Sequence, residues 1–170
     1  MTEGLKRYQQ IGDFHFVTFS CYRREPYLSL SYNRSLFEEA LETIRTRYNL
    51  RILGYVVMPE HVHLLVTEPT ETSLAIALMA LKISVSKRLN YSPFWQARYY
   101  DFNVFTAKKQ VEKLRYIHRN PVRRGLVEKP EDWRWSSFQH YLTGERGTVE
   151  VESSWTAAMR DFAPMKHNDR

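Results

Sequence analysis

The sequence predicts an α+β fold: an antiparallel sheet beneath two helices, with more helical chain added towards the C-terminus. Three observations carry this. Segments of strand and helix character follow one another in the order strand, helix, strand, strand, helix, strand. The two middle strands are separated by only two residues, which dictates a hairpin. And 170 residues, 43% apolar and 14% aromatic, hold enough for one core and little for a second.

The elements follow from local pattern. His15 to Tyr22 (HFVTFSCY) is rich in β-branched and aromatic residues and is closed by the turn-forming Arg23-Arg24-Glu25-Pro26, so it reads as a strand. From Asn33 onward, Leu36, Phe37, Ala40, Leu41, Ile44 and Tyr48 recur at helical spacing, with Asn33 as N-cap and Asn49 near the stop. Arg51 to Met58 and His61 to Thr67 are the hairpin strands, parted by Pro59 and Glu60. Ser73 caps a second helix running to about Asn90, with Leu74, Leu78, Leu81, Val85 and Leu89 inward and Lys82, Ser86 and Lys87 outward. Trp95 to Phe105 reads as a strand interrupted by loop residues, and a third helix runs from about Ala107 to Asn120, stopped by Pro121. The order matches the split βαβ arrangement of ferredoxin-like folds, with the third helix an addition. Residues 1–145 form one domain on this reading. Residues 146–170 form a tail with a short helix, Ser153 to Phe162, whose Trp155 and Phe162 dock on the body.

Cys21, the one cysteine, cannot form an internal disulfide or a thiolate metal cluster, which fits a reducing cytoplasm. The first residues, MTEGLKRYQQ, lack the apolar stretch of a secretory signal, and the longest apolar run, Leu74 to Leu81, is too short to span a bilayer. No membrane association is expected. Residues 108–124 carry seven cations against one acid, Glu112, a net +6 equal to that of the whole chain, so the remaining residues balance to zero. Seventeen of the 25 cations are Arg, whose planar fork suits phosphate. Nucleic-acid contact explains this local excess, and so does a solvated helix face.

Side chains at i and i+2 of a strand point the same way, so His61 and His63 project from one face of the hairpin. Two imidazoles on a rigid face are half of a metal site, although paired structural histidines explain the pattern as well. On the third helix Val111, Leu114 and His118 form the inner stripe, while Tyr116 lies about 200° from Leu114. Within an arc of about 60°, Lys109, Lys113 and Asn120 share the side of Tyr116. Two ammonium groups, a phenol and a carboxamide on one side make chemical sense for phosphoryl transfer. The lysines attract a phosphate, the phenolate is the nucleophile, and the carboxamide oxygen completes coordination begun by the imidazoles. A phenol is a weak nucleophile at neutral pH, and nearby cations or a metal favour its ionised form.

The stretch Tyr55-Val56-Val57-Met58-Pro59-Glu60-His61-Val62-His63-Leu64-Leu65-Val66 is followed by Phe94-Trp95-Gln96. After these come Tyr116-Ile117-His118-Arg119-Asn120-Pro121-Val122-Arg123-Arg124-Gly125-Leu126-Val127 and Trp135-Ser136-Ser137. Together, from about residue 10 to about 142, these closely resemble the REP-associated tyrosine transposases, relatives of the single-strand insertion-sequence transposases among the HUH endonucleases. The resemblance implies a ferredoxin-like fold, an H-x-H pair on a central strand, a catalytic tyrosine on a helix, and Mg²⁺ or Mn²⁺. It implies single-stranded DNA beside the hairpins of repetitive extragenic palindromes as substrate, cut to a 5′-phosphotyrosine and a free 3′-OH, in the nucleoid, by a monomer or homodimer. By position, His61 and His63 become metal ligands, Tyr116 the nucleophile and Asn120 the third ligand, where the insertion-sequence relatives often carry glutamine.

Of the remaining polar residues, Arg98, Lys109, Lys113, Arg119, Arg123 and Arg124 are read as DNA-binding, while Arg115 pairs internally with an acid such as Glu112. His15 and His140 are read as structural histidines, with His118 closer to the chemistry. Trp95, Trp133 and Trp135 are assigned to packing, and Tyr99 and Tyr100 either to base stacking or to the sheet core. Two alternative functions stay open on sequence: a non-catalytic single-strand-binding module with a ferredoxin-like sheet, and a hydrolase using water as nucleophile.

Overall fold

The computed structural model describes residues 14–162. Four strands form one antiparallel sheet: β1 (Phe14–Ser20), β2 (Ile52–Val57), β3 (His61–Thr67) and β4 (Tyr100–Val104), in spatial order β2-β3-β1-β4. Helices α1 (Ser31–Tyr48) and α2 (Leu74–Leu89) follow β1 and β3, which is the split βαβ topology expected from the sequence. Both helices pack on one face of the sheet, where Val17, Phe19, Tyr55, Val57, Val62, Leu64 and Val66 meet Phe37, Leu41, Leu78 and Leu81 in the main core. No helix among the described residues is long and apolar enough to cross a membrane.

The third helix, α3 (Ala107–Arg123), covers the opposite face with a smaller core of Phe14, Phe16, Leu53, Val56, Met58, Leu65 and Ile117. It can come close because β2 carries a glycine beneath it: a Cβ on Gly54 would stand 2.4 Å from Cδ2 of Leu114. A register shift between Ile52 and Gly54 accompanies this approach.

Several element ends differ from the sequence reading. α1 starts at Ser31, and Asn33 is inside it, its amide donating to the Tyr27 carbonyl (2.8 Å) instead of capping the helix. Asn49 does end α1, in the left-handed conformation, and Ser73 does cap α2, accepting from the Ile76 amide. Regular pairing of the fourth strand is confined to Tyr100–Val104, with Trp95 making one isolated bridge to Cys21. Pro121 does not stop α3. Its ring removes one amide donor, yet the Arg124 and Leu126 amides still reach the Asn120 and Pro121 carbonyls, and Asn120 and Pro121 are both buried. The face of α3 that docks also differs from the sequence reading: Ile117 is fully buried, whereas Val111, assigned to the inner stripe, is 49% exposed.

Beyond α3, Trp133 and Trp135 pack as expected, their indole N–H groups donating to the Val57 carbonyl and Ser35 hydroxyl. Helix α4 (Phe138–Thr143) leads into residues 149–153, which return to the sheet. Val151 bridges Ile52 in parallel, the Glu152 amide donates to the Ile52 carbonyl, and Val149 and Val151 are buried. Helix α5 spans Ser154–Phe162. Trp155, expected to dock on the body, is 54% exposed, although its ring lies against Gly144, where a Cβ would meet it at 3.0 Å. The side chain of Phe162 and the N-terminal decapeptide lie outside the described residues.

Candidate active site

β3 is central, so His61 and His63 are fixed from both sides of the strand. Cross-strand register places Thr18 opposite His63 and Ser20 opposite His61. The period of two turns both imidazoles towards α3, and their Nε2 atoms lie 3.0 Å apart. Each ring is oriented by a separate anchor. His61 donates its Nδ1–H to the Glu60 carboxylate at 2.9 Å, and His63 Nδ1 lies 2.7 Å from the Thr18 hydroxyl.

Protonation follows from these partners. Burial holds both histidines below the ordinary imidazole range. For His63, His61 and the cations Arg24, Lys113 and Arg124 add to it and bring the pKa down to about 3. Both rings are therefore neutral at pH 7. His61 keeps its proton on Nδ1, facing Glu60. His63 does so as well, because its Nε2 accepts from the Asn120 amide at 3.0 Å. The two Nε2 atoms thus share one small region, that of His63 accepting from Asn120 and that of His61 3.0 Å from it. Beside them the carboxamide oxygen of Asn120 is buried without a hydrogen-bond partner among the described residues. A half-turn of that carboxamide exchanges its oxygen and nitrogen, which brings the oxygen to the imidazole pair as a third donor atom. Two neutral imidazole nitrogens 3.0 Å apart and an orphaned buried oxygen suit a cation, and no group of three His, Cys, Asp or Glu converges anywhere among the described residues.

Tyr116 sits on α3 at the rim of this pair. Its ring meets His63 edge-on, centroids 5.3 Å apart, and Phe16 at 5.9 Å, while the side chain stays 39% exposed. Its turn away from Leu114 thus brings the ring to the sheet's polar patch while one side stays open to solvent. The surrounding cleft, about 640 Å³, is walled by Phe16, Thr18, Tyr100, Lys113, Asn120 and the guanidinium groups of Arg24, Arg123 and Arg124. Lys113 lies over the Phe16 and Phe102 rings, at 4.7 and 4.9 Å, and Arg123 stands 5.8 Å from the Tyr116 ring.

Of the residues proposed on sequence, the structure brings together Tyr116, His61, His63, Asn120, Lys113, Arg123 and Arg124. Lys109 turns aside to pair with Glu112 (3.2 Å), which displaces the Arg115–Glu112 pair expected from spacing, and neither Arg98 nor Arg119 lines the cleft. His118 is on the far side of α3, Nε2 2.7 Å from the Ser137 hydroxyl, and burial lowers its pKa to about 4, so it is structural. His15 and His140 are structural as well, bonded to Asp101 and to Ser153. Sequence reasoning missed Arg24, Thr18 and Glu60. The Glu60 carboxylate, which burial raises but His61 and Arg124 pull below its usual range, touches His61, Arg124 (2.7 Å) and Arg24 (3.6 Å). Its position before His61 in the hairpin turn was the available signal.

The fold and the comparisons with known proteins place the chain among the tyrosine transposases, enzymes that cut and transfer DNA strands. The chain belongs to the IS200-like transposase family, whose model matches residues 9–120. It is 24% identical over 164 residues, 96% of each chain, to the REP-associated tyrosine transposase of Escherichia coli (strain K12). It is 27% identical over 150 residues, 79% of this chain and 84% of the other, to a Haemophilus influenzae relative assigned to the same group. The fold is similar to that of a REP-associated tyrosine transposase solved bound to a REP hairpin, with TM-score 0.69, 22% identity and coverage of 84% and 87% of the two chains.

Proposed function

We propose that the chain is a metal-dependent single-stranded DNA endonuclease and strand transferase acting next to repetitive extragenic palindrome hairpins in the cytoplasm, through a 5′-phosphotyrosine. The observation that carries this reading is the edge-on packing of Tyr116 against His63, which puts a phenol and a neutral imidazole pair on the walls of one cationic cleft. The named relatives and the hairpin-bound neighbour support the substrate class.

In the reaction the Tyr116 oxygen forms a bond to the scissile phosphorus as the bond from phosphorus to O3′ breaks. The phenol proton is lost and O3′ gains one, so one phosphodiester is exchanged for a phosphotyrosyl diester and a free 3′-OH. Reversal with another 3′-OH transfers the strand. His61, His63 and Asn120 hold Mg²⁺ or Mn²⁺, which when bound supplies Lewis-acid polarisation of the phosphate. Lys113, Arg123, Arg124 and Arg24 bind the phosphates on either side, and Glu60 and Thr18 keep the imidazoles in the tautomer that leaves Nε2 free.

Incubation with a REP-hairpin oligonucleotide and Mn²⁺ is expected to give a protein–DNA adduct that survives denaturation and is absent for Tyr116→Phe. An adduct with the phenylalanine variant overturns the nucleophile assignment. Cleavage without any adduct points to water as nucleophile, and binding that ignores chelators and survives His61→Ala with His63→Ala points to a non-catalytic module.

A further inference from the structure

Tyr116 is a partition and not only a wall. Behind it, on the outer side of α3, lies a second cleft of about 830 Å³, lined by Lys108, Val111, Glu112, Arg115, Tyr116, Arg119 and Arg123. Tyr116 and Arg123 line both clefts, so the two adjoin at the tyrosine. Arg115, Arg119 and Arg123 stand four residues apart, a single row along the helix with successive members about 6 Å apart on its axis. Like charges at this spacing cost helix stability. No carboxylate among the described residues lies within ion-pair distance of Lys108, Arg115, Arg119 or Arg123, and the one acid in the cleft, Glu112, is held by Lys109. The exposed Val111 and the Tyr116 ring flank this row on either side within the same cleft. A row of unneutralised cations flanked by apolar side chains, at a rise comparable to the spacing of phosphates in an extended strand, is complementary to single-stranded nucleic acid.

Resting on the reaction proposed above, we infer that this outer cleft holds the segment of DNA that stays attached to Tyr116, the single strand lying 3′ of the broken bond. In-line displacement places the departing O3′ on the far side of phosphorus from the phenol oxygen, which is the imidazole side. The segment ending in that 3′-OH therefore runs through the inner cleft past Arg24 and Arg124. The other substituent, O5′ and the strand beyond it, leaves sideways, and Arg123, common to both clefts, takes the first phosphate after the phosphotyrosine. Arg119, Arg115 and Lys108 take those that follow. Lys108 and Arg115 thereby acquire a role in substrate binding at a distance from the reacting atoms.

The test maps the cleaved bond in a REP-hairpin oligonucleotide with the wild-type chain and Mn²⁺. Fluorescence anisotropy then follows binding of that oligonucleotide, and of versions shortened from either end, to Tyr116→Phe protein with and without Lys108→Gln plus Arg115→Gln. With the full oligonucleotide the double substitution is expected to weaken binding roughly tenfold and to lower the slope of log affinity against log salt by about 1.4. Removing the nucleotides 3′ of the mapped bond should cost the parent a similar factor and the substituted protein almost nothing. Equal binding by the two proteins, or a deficit that disappears only when the 5′ side is shortened, overturns the assignment. Failure of the wild-type chain to form any adduct counts against the reaction itself, a result separate from the fate of the groove.

Discussion

On the side of the sheet that faces α1 and α2, β1 and β3 contribute Val17, Phe19, Val62, Leu64 and Val66, all apolar and closed to solvent. On the other side the same two strands contribute Phe16, Thr18, His61, His63 and Leu65. Both sets alternate along one backbone, so the residues that anchor the strands are neighbours in sequence of those that carry the chemistry. The aliphatic face supplies hydrophobic stabilisation of about 25 cal/mol for each Å² removed from water. The α3 face gives up part of that to polar groups whose hydrogen bonds are spent on aiming rings. Rigidity made on one side is used on the other, since the imidazoles cannot turn while their strand is clamped from behind.

If that division is right, substitutions on the two faces should separate stability from chemistry. The largest effect belongs to Phe37→Ala, which empties a fully buried site under β1. It is expected to cost about 3–5 kcal/mol in denaturant unfolding while leaving the cleavage rate per folded molecule unchanged. A large rate defect at full folding would break the comparison.

Glu60→Gln is the counterpart on the α3 face. The amide still offers an oxygen to His61 Nδ1–H but carries no charge, so Mn²⁺ affinity read by magnetic resonance should fall by roughly 10–100-fold. Unfolding should move little. Partial recovery of cleavage at high Mn²⁺ distinguishes a positioning role from a merely structural one.

The smallest effect sharpens the comparison by looking for an ionisable group on the aliphatic side. Glu38 on α1 is buried and accepts from the Tyr55 hydroxyl at 3.2 Å. Burial raises its pKa to about 7, against weaker opposing contributions from Tyr55 and Arg134. The folded chain therefore keeps a proton that the unfolded chain releases above about pH 4.5, and stability falls as pH rises from there through about 7. Between pH 5.5 and 7.5 the wild type should lose about 2 kcal/mol relative to Glu38→Gln, measured as the difference in unfolding free energy at the two pH values. Parallel pH profiles for the two proteins would remove Glu38 as the titrating group.

Much of this was legible in the sequence because it depends on periodicity alone. A period of two on a strand turns His61 and His63 together, and the helical period separates Tyr116 from Leu114. What was not legible depends on pairing between distant segments. Thr18 becomes the anchor of His63 only once β1 and β3 are in register, 45 residues apart. Arg24 reaches the cleft through a left-handed backbone (φ 55°) that a run of Arg-Arg-Glu-Pro does not announce. Pro121, in the last turn of α3, reads as a helix stop because it lacks an amide donor, a loss that the burial of Asn120 and Pro121 and the Arg124 and Leu126 hydrogen bonds offset. Within that turn Asn120 stays helical and meets His63.

The return of residues 149–153 to Ile52 bears on how the protein can be handled. Cutting after Gly144 removes two valines from hollows they fill and strips the outer margin of β2 of the amide that satisfies it. A shortened version would offer a raw, sticky border to its own kind, and clumping rather than a tidier enzyme is what trimming would deliver.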